Sequence, residues 1–173
     1  IYVNDAFSCS HREQASIHKI TKYIKESYAG PLLKKEVSAI NKIIQNKKEP
    51  VTCIIGGSKI STKINVINNL IKNVNNMIIV GAMANNFLIF NGFKIGKSLV
   101  EKDSNKIIDK IFSEAKKHNC NIFIPEDFNV STNFDGSGKI KKQDSVDENE
   151  IILDIGTETI KKIEAIIDKS NTV

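Results

Sequence analysis

VTCIIGGSKISTK, residues 51–63, is the stretch on which the fold turns. Its first five residues are apolar or β-branched and read as a buried strand. Gly56 and Gly57 end that strand, where the backbone needs conformational freedom or a ligand comes close. Ile60, Ile64, Ile67, Leu70, Ile71 and Val74 then recur on one helical face. A strand, a Gly-Gly turn and a helix present backbone N–H groups to an anion. Lys59 and Lys63, four residues apart, share a helical face or flank the helix start. Like charges at that spacing cost about 0.2–0.5 kcal/mol. Cations near a helix N-terminus also oppose its dipole. A bound anion would reverse both penalties. Spacing alone favours two solvated lysines in a lysine-rich chain, and the Gly-Gly turn shifts the balance toward a phosphate site. The stretch is neither G-x-x-x-x-G-K-[ST] nor G-x-G-x-x-G.

Working outward, the same alternation continues. Upstream, residues 1–8 read as a strand entering a turn, and residues 9–30 as polar and irregular. Pro31 opens a helix with Leu33, Val37, Ile40 and Ile44 on its apolar stripe, broken by NKKEP at 46–50. Downstream, Met77 to Val80 is a second strand, closing on Gly81-Ala82. A helix follows from about Met83 to Phe90 and stops at Asn91-Gly92. Residues 105–118 form an amphipathic helix with Ile107, Ile108, Ile111, Phe112 and Ala115 inward. Residues 121–124 are a third strand, residues 127–134 an extended excursion, and residues 135–150 an exposed loop or small hairpin. Ile151 to Ile155 is a fourth strand ending at Gly156, with Thr157 as the cap of a last helix. Short apolar strands between helices specify βαβ units: an α/β fold with a parallel sheet in three αβα layers. Ligands of such sheets bind beyond the strands' carboxyl ends. Gly56-Gly57, Gly81 and Gly156 stand at three of those ends. They read as tight turns alone or, together with Lys59 and Lys63, as a nucleotide crevice.

Composition narrows the class. The chain has 173 residues, 40% hydrophobic and 26% charged, enough for a folded core. No apolar run nears the ~20 residues of a membrane span, and no secretory leader is visible. Net charge is +5, but Arg12 is the single arginine and aromatics are only 6%. Scattered lysines without arginine and aromatic clusters argue against a nucleic-acid partner and leave a mild pull on anions. Cys9, Cys53 and Cys120 read as reduced thiols in a cytoplasmic protein. The chain opens at Ile1 inside a strand pattern and closes at Asn171-Thr172-Val173 where another begins, which reads as a segment of a longer protein.

Collinear stretches resemble phosphoglycerate kinase: IYVNDAFSCSHREQAS at 1–16, AGPLLKKE at 29–36, IIGGSKISTKINVI at 54–67, IIVGAMANNFL at 78–88, GKSLVEKD at 96–103, IPEDFNV at 124–130 and ILDIGTETI at 152–160. The resemblance implies that residues 1–30 end a 3-phosphoglycerate-binding domain. Residues 31–48 would be an interdomain helix and residues 49–173 a truncated nucleotide-binding domain. It implies reversible phosphoryl transfer between 1,3-bisphosphoglycerate and ADP, in glycolysis, by a protein monomeric at full length. Mg2+ would come with the nucleotide, its protein ligand lying outside these residues.

Carried over by position, Arg12 would bind phosphoglycerate, Lys59 would stabilise the transferring phosphoryl group and Lys63 would hold nucleotide phosphates. Gly56 and Gly57 would admit the nucleotide. Gly81 and Ala82 would lie at the nucleoside pocket, with Leu99 and Leu153 as apolar walls. An arginine suits this role because its fork grips phosphate or carboxylate bidentately. Gln14, Thr62, Ala82 and Thr157 depart from residues common in the family, respectively histidine, aspartate, glycine and proline. A rival of another class is a non-catalytic nucleotide-binding module. A Rossmann-like oxidoreductase is weaker still, since the glycine fingerprint is missing. No His–Asp pair is evident, so His11, His18 and His118 are expected to be structural or solvent-facing.

Overall fold

The computed structural model describes residues 1–135 and 137–173. Residue 136, inside the expected loop 135–150, and the side chain of Ile44, assigned above to an apolar stripe, lie outside the described residues. The chain divides into two units, residues 1–47 and 48–173.

In the first unit, β1 (Tyr2–Asn4) pairs in parallel with β2 (Ser27–Ala29), and α1 (Pro31–Gln45) follows. Pro31 occupies the first turn of α1, where its missing N–H is not needed. The Asp5 carboxylate accepts the Leu33 N–H at 2.9 Å and so serves that helix start. β2 falls inside the segment read as irregular. Three residues, SYA, all exposed, carry no periodicity to detect. The expected stripe is shallow: Val37 and Ile40 remain 36% and 40% exposed. Among the described residues of this unit only Gly30 is buried, as expected of a 47-residue piece with too little surface to enclose a core.

The second unit is built around β3 (Thr52–Gly56), β4 (Asn76–Val80) and β5 (Asn121–Phe123), a parallel sheet in the order β3-β4-β5. β4 is central, and Met77, Ile78 and Ile79 are fully buried, as a parallel strand covered on both faces requires. Val51 also bridges in parallel to Thr172. The connections are α2 (Ile64–Ile71), α3 (Ala82–Phe90) and α4 (Asn105–Lys117). Ile60, Ile67 and Ile71 pack with Ile79, Met83, Phe87, Ile108 and Ile111 in one cluster. Phe87 meets Phe112 edge-on at 5.7 Å. Cys120 belongs to this cluster, and burial pushes its thiol up to about 11, with nearby Cys53 adding to the rise. A thiol held there stays protonated and unreactive.

The remaining strands depart from the expected parallel pattern. β6 (Asp127–Ser131) is the centre of a separate antiparallel sheet, flanked by β7 (Lys139–Lys142) and β8 (Ile151–Ile155). The expected fourth strand therefore exists but joins β6, not the β3-β4-β5 sheet. Leu88, Ile95, Phe128, Val130 and Val146 form the core beneath it.

The last helix, α5 (Thr157–Asp168), corrects the expected cap. Thr157 is its first helical residue, Gly156 holds the cap position, and no local side chain caps it. The Asp127 carboxylate does so from a distance. It accepts the Glu158 N–H at 3.0 Å and the Thr159 N–H at 2.7 Å. The sequence sign was the lack of any Ser, Asp or Asn at the cap position. Which distant carboxylate substitutes depends on the register of β6 with β8.

Candidate functional site

The carboxyl ends of β3 and β4 lie side by side because the two strands are in register, with Gly56 opposite Val80. The chain leaves β3 through Gly57 at φ +149 and leaves β4 through Gly81 at φ +68. A Cβ on Gly81 would stand 3.3 Å from the Gly57 nitrogen, and the Gly57 carbonyl accepts the Met83 N–H at 2.7 Å. The two turns therefore touch backbone to backbone, and only glycine permits both the dihedral and the approach. Gly81→Ala is expected to lower stability by about 1–2 kcal/mol, the cost of a left-handed conformation with a Cβ. Urea unfolding of the two proteins measures it, and equal midpoints would show that the turn relaxes.

Beside these turns lies a cavity of about 460 Å³, lined by Gly81, Ala82, Leu99 and Leu153, and further by Asn85, Lys97, Phe128, Phe134 and Asp154. The four residues carried over to the nucleoside pocket are thus brought together from the turn after β4, the start of α3, the loop before α4, and β8. The loop is fixed to β8 and the residue before it by two hydrogen bonds: Lys97 N–H to the Glu150 carbonyl at 2.7 Å, and Ile152 N–H to Ser98 Oγ at 2.8 Å. Leu99 is 61% exposed and presents apolar surface at the rim. Its carbonyl accepts from Asn85 Nδ2 at 2.9 Å.

The lysines follow the Gly57 turn along the chain. Lys63 ends a short 3-10 turn, Ser61–Lys63, and leads into α2. Its side chain lies across Gly57, so that a Cβ there would meet Cε at 2.9 Å and Nζ at 3.4 Å. Lys59 is exposed on the preceding loop, two residues before Ser61. Among the described residues, neither ammonium lies within ion-pair distance of a carboxylate, and nor does Arg12. Arg12 is exposed in the first unit, its N–H donating to the Cys9 carbonyl at 3.0 Å. Gly57, Gly81 and Lys63 are directly adjacent, whereas Gly56 and the two lysines do not line the cavity itself.

Sequence reasoning missed several participants. Asn85 is 2% exposed, and its Oδ1 is buried without a hydrogen-bond partner. Phe134 is a lone aromatic in a polar stretch, so nothing local marks it as a wall. Glu101 accepts the Ser61 N–H at 3.1 Å and, through its other oxygen, the Ser61 hydroxyl. One backbone donor at the helix start expected to face an incoming anion already faces a carboxylate of the chain itself. The Ser61 hydroxyl and then its amide hold the Glu101 carboxyl below the usual range against the opposing effect of burial, with the Ile60 amide and the Lys59 charge adding.

No helix among the described residues is long and apolar enough to cross a membrane. The family model described as phosphoglycerate kinase matches residues 1–173. The chain is 45% identical over 174 residues to the phosphoglycerate kinase of Wolbachia pipientis wMel, covering all of this chain and 44% of that protein. It is 40% identical over 175 residues to that of Francisella tularensis subsp. novicida strain U112, covering 45% of it. It thus spans less than half the length of these curated relatives. The solved phosphoglycerate kinase of Coxiella burnetii superposes with a TM-score of 0.86 at 35% identity, over 98% of this chain and 44% of that one. In fold alone, the Pyrococcus horikoshii enzyme is similar at a TM-score of 0.77 and 24% identity. In sequence along its whole length, and in fold, this chain belongs to the phosphoglycerate kinase family.

Proposed function

We propose that these residues are part of a phosphoglycerate kinase that moves a phosphoryl group reversibly between 1,3-bisphosphoglycerate and ADP, giving 3-phosphoglycerate and ATP, in cytoplasmic glycolysis. One observation carries the reading. Gly81, Ala82, Leu99 and Leu153 converge on a single cavity at the strand ends, and Gly57, covered by Lys63, lies against the Gly81 wall of it. An apolar slot beside a cationic turn suits a base at one end and phosphates at the other.

In this reading residues 49–173 hold the nucleotide, residues 1–30 contribute to the acid's site and residues 31–48 connect them. Leu99 and Leu153 flank the base and exclude water from its faces. The Gly56-Gly57 turn lets the phosphates approach the backbone, and Lys63, lying over Gly57, neutralises them. Lys59 stabilises charge on the phosphoryl group as it transfers. Mg2+ enters with the nucleotide as part of the substrate and lowers its phosphate charge. The attacking oxygen, on a phosphate in one direction and a carboxylate in the other, is already anionic, so no side chain need remove a proton. Arg12 grips the phosphoglycerate with its fork. Because positioning of both substrates supplies most of the rate, these 173 residues alone would hold nucleotide without turning it over.

A coupled assay of the complete chain that carries this segment tests the reading. The expected result is ATP formation from 1,3-bisphosphoglycerate and ADP. In the reverse direction, Arg12→Ala is expected to raise KM for 3-phosphoglycerate at least tenfold, since each charge-assisted hydrogen bond of the fork contributes roughly 1.5 kcal/mol or more. A complete chain that binds ADP without turnover would instead favour the non-catalytic module.

A further inference from the structure

The loop bearing Lys59 leaves the sheet through Gly57 and must hold an ammonium in place between that turn and α2. Downstream it is tied to the rest of the unit at two points. Ile60 is fully buried in the core, and Ser61 gives both its N–H and its hydroxyl to Glu101. Within the loop, Thr62 Oγ1 donates to the Lys59 carbonyl at 3.0 Å and the Lys63 N–H to the Ile60 carbonyl at 3.0 Å, ties that anchor the loop only to itself.

Glu101 is itself held. Its N–H donates to Asn86 Oδ1 at 2.9 Å, which also accepts the Ser104 hydroxyl at 3.1 Å, and Asn86 is 1% exposed. The neighbouring Asn85 holds the Leu99 carbonyl two residues before Glu101. Two consecutive asparagines of α3 therefore fix one short segment, 99–101. One end of it is a wall of the cavity, and the other grips the turn after Lys59. We propose that Glu101 is a positioning residue, setting Lys59 through Ser61 and joining seating of the base against Leu99 to placement of the ammonium. This rests on the kinase reading given above.

Two readouts on the complete chain test it. Glu101→Ala is expected to speed hydrogen exchange at the Ser61 amide at least tenfold, since that amide loses its acceptor. It is also expected to lower kcat at least tenfold, with KM for ADP changing less than threefold, because Lys63 and the cavity are untouched. Glu101→Gln keeps an acceptor for the Ser61 N–H and is expected to recover most of both losses. Assays are run well below the unfolding midpoint of each variant, so that a purely stabilising role would leave kcat unchanged. A wild type that turns over beside an equally fast Glu101→Ala overturns the positioning role alone. A wild type that neither binds nor turns over ADP overturns the kinase reading, and this inference with it.

Discussion

Lys59→Ala in the complete chain is expected to lower kcat by about 100-fold or more while leaving KM for ADP within a few-fold. The size follows from the general loss when one preorganised charge or donor is removed from a transition state, roughly 10²–10³. The asymmetry follows from placement. Lys59 is exposed on the loop before α2 and does not line the cavity, so it contributes little to holding the nucleoside. Lys63 differs, because its side chain already lies across the Gly57 turn. An interaction made only as charge redistributes changes kcat, whereas one made equally with bound substrate changes KM. Steady-state kinetics in ADP separate the two. A Lys59→Ala enzyme with unaltered kcat would remove Lys59 from the chemistry.

The second large effect concerns stability. Asp127→Ala is expected to destabilise the second unit by about 3 kcal/mol, since two helix-start N–H groups lose a charged acceptor at roughly 1–3 kcal/mol each and the site relaxes in part. Asp127 is 3% exposed. Thr159 is fully buried and returns its hydroxyl to the Asp127 carbonyl at 3.2 Å. A Cβ on Gly156 would fall 2.3 Å from the carboxylate, so little room exists for a substitute. Burial opposes ionisation of Asp127, but the hydrogen bonds from Thr159, from the Glu158 amide and from nearby backbone outweigh it and hold its carboxyl below the usual range. The sign of the pH effect follows. A depressed folded-state value means that this stabilisation is complete above the unfolded pKa of about 3.9 and fades as pH falls through the lower folded value. Asp127→Ala should therefore lose more stability at pH 7 than at pH 2, and Asp127→Asn, which keeps one acceptor, should lose less than Asp127→Ala at neutral pH. Urea unfolding at the two pH values decides it. Equal losses at both would show that the carboxylate's charge contributes nothing to the cap.

Local patterns were legible wherever the signal is periodic. The three strands of the parallel sheet and the helices after Pro31, Gly81 and Ser104 all carry apolar spacing that survives inspection of a few residues at a time. β2 was not legible, because a three-residue exposed edge pairing with β1 has no periodicity of its own. Nor was the antiparallel sheet, since the pairing of β6 with β8 is a choice between partners some twenty residues apart. The cavity divides the same way. Gly81, Ala82, Leu99 and Leu153 could be singled out from family motifs, while Asn85, Phe134 and Glu101 could not. Their roles come from what stands opposite them.

By itself the sequence determined the family, the parallel βαβ core and the two glycine turns, because these depend on side-chain order, on short-range periodicity and on backbone freedom at named positions. The tertiary structure alone decided that Ile151–Ile155 leaves the parallel sheet for an antiparallel one, that Asp127 caps a helix thirty residues further on, and that Glu101 reaches Ser61. Each of those is a contact between groups distant along the chain, and its free energy depends on register and burial that no local window contains.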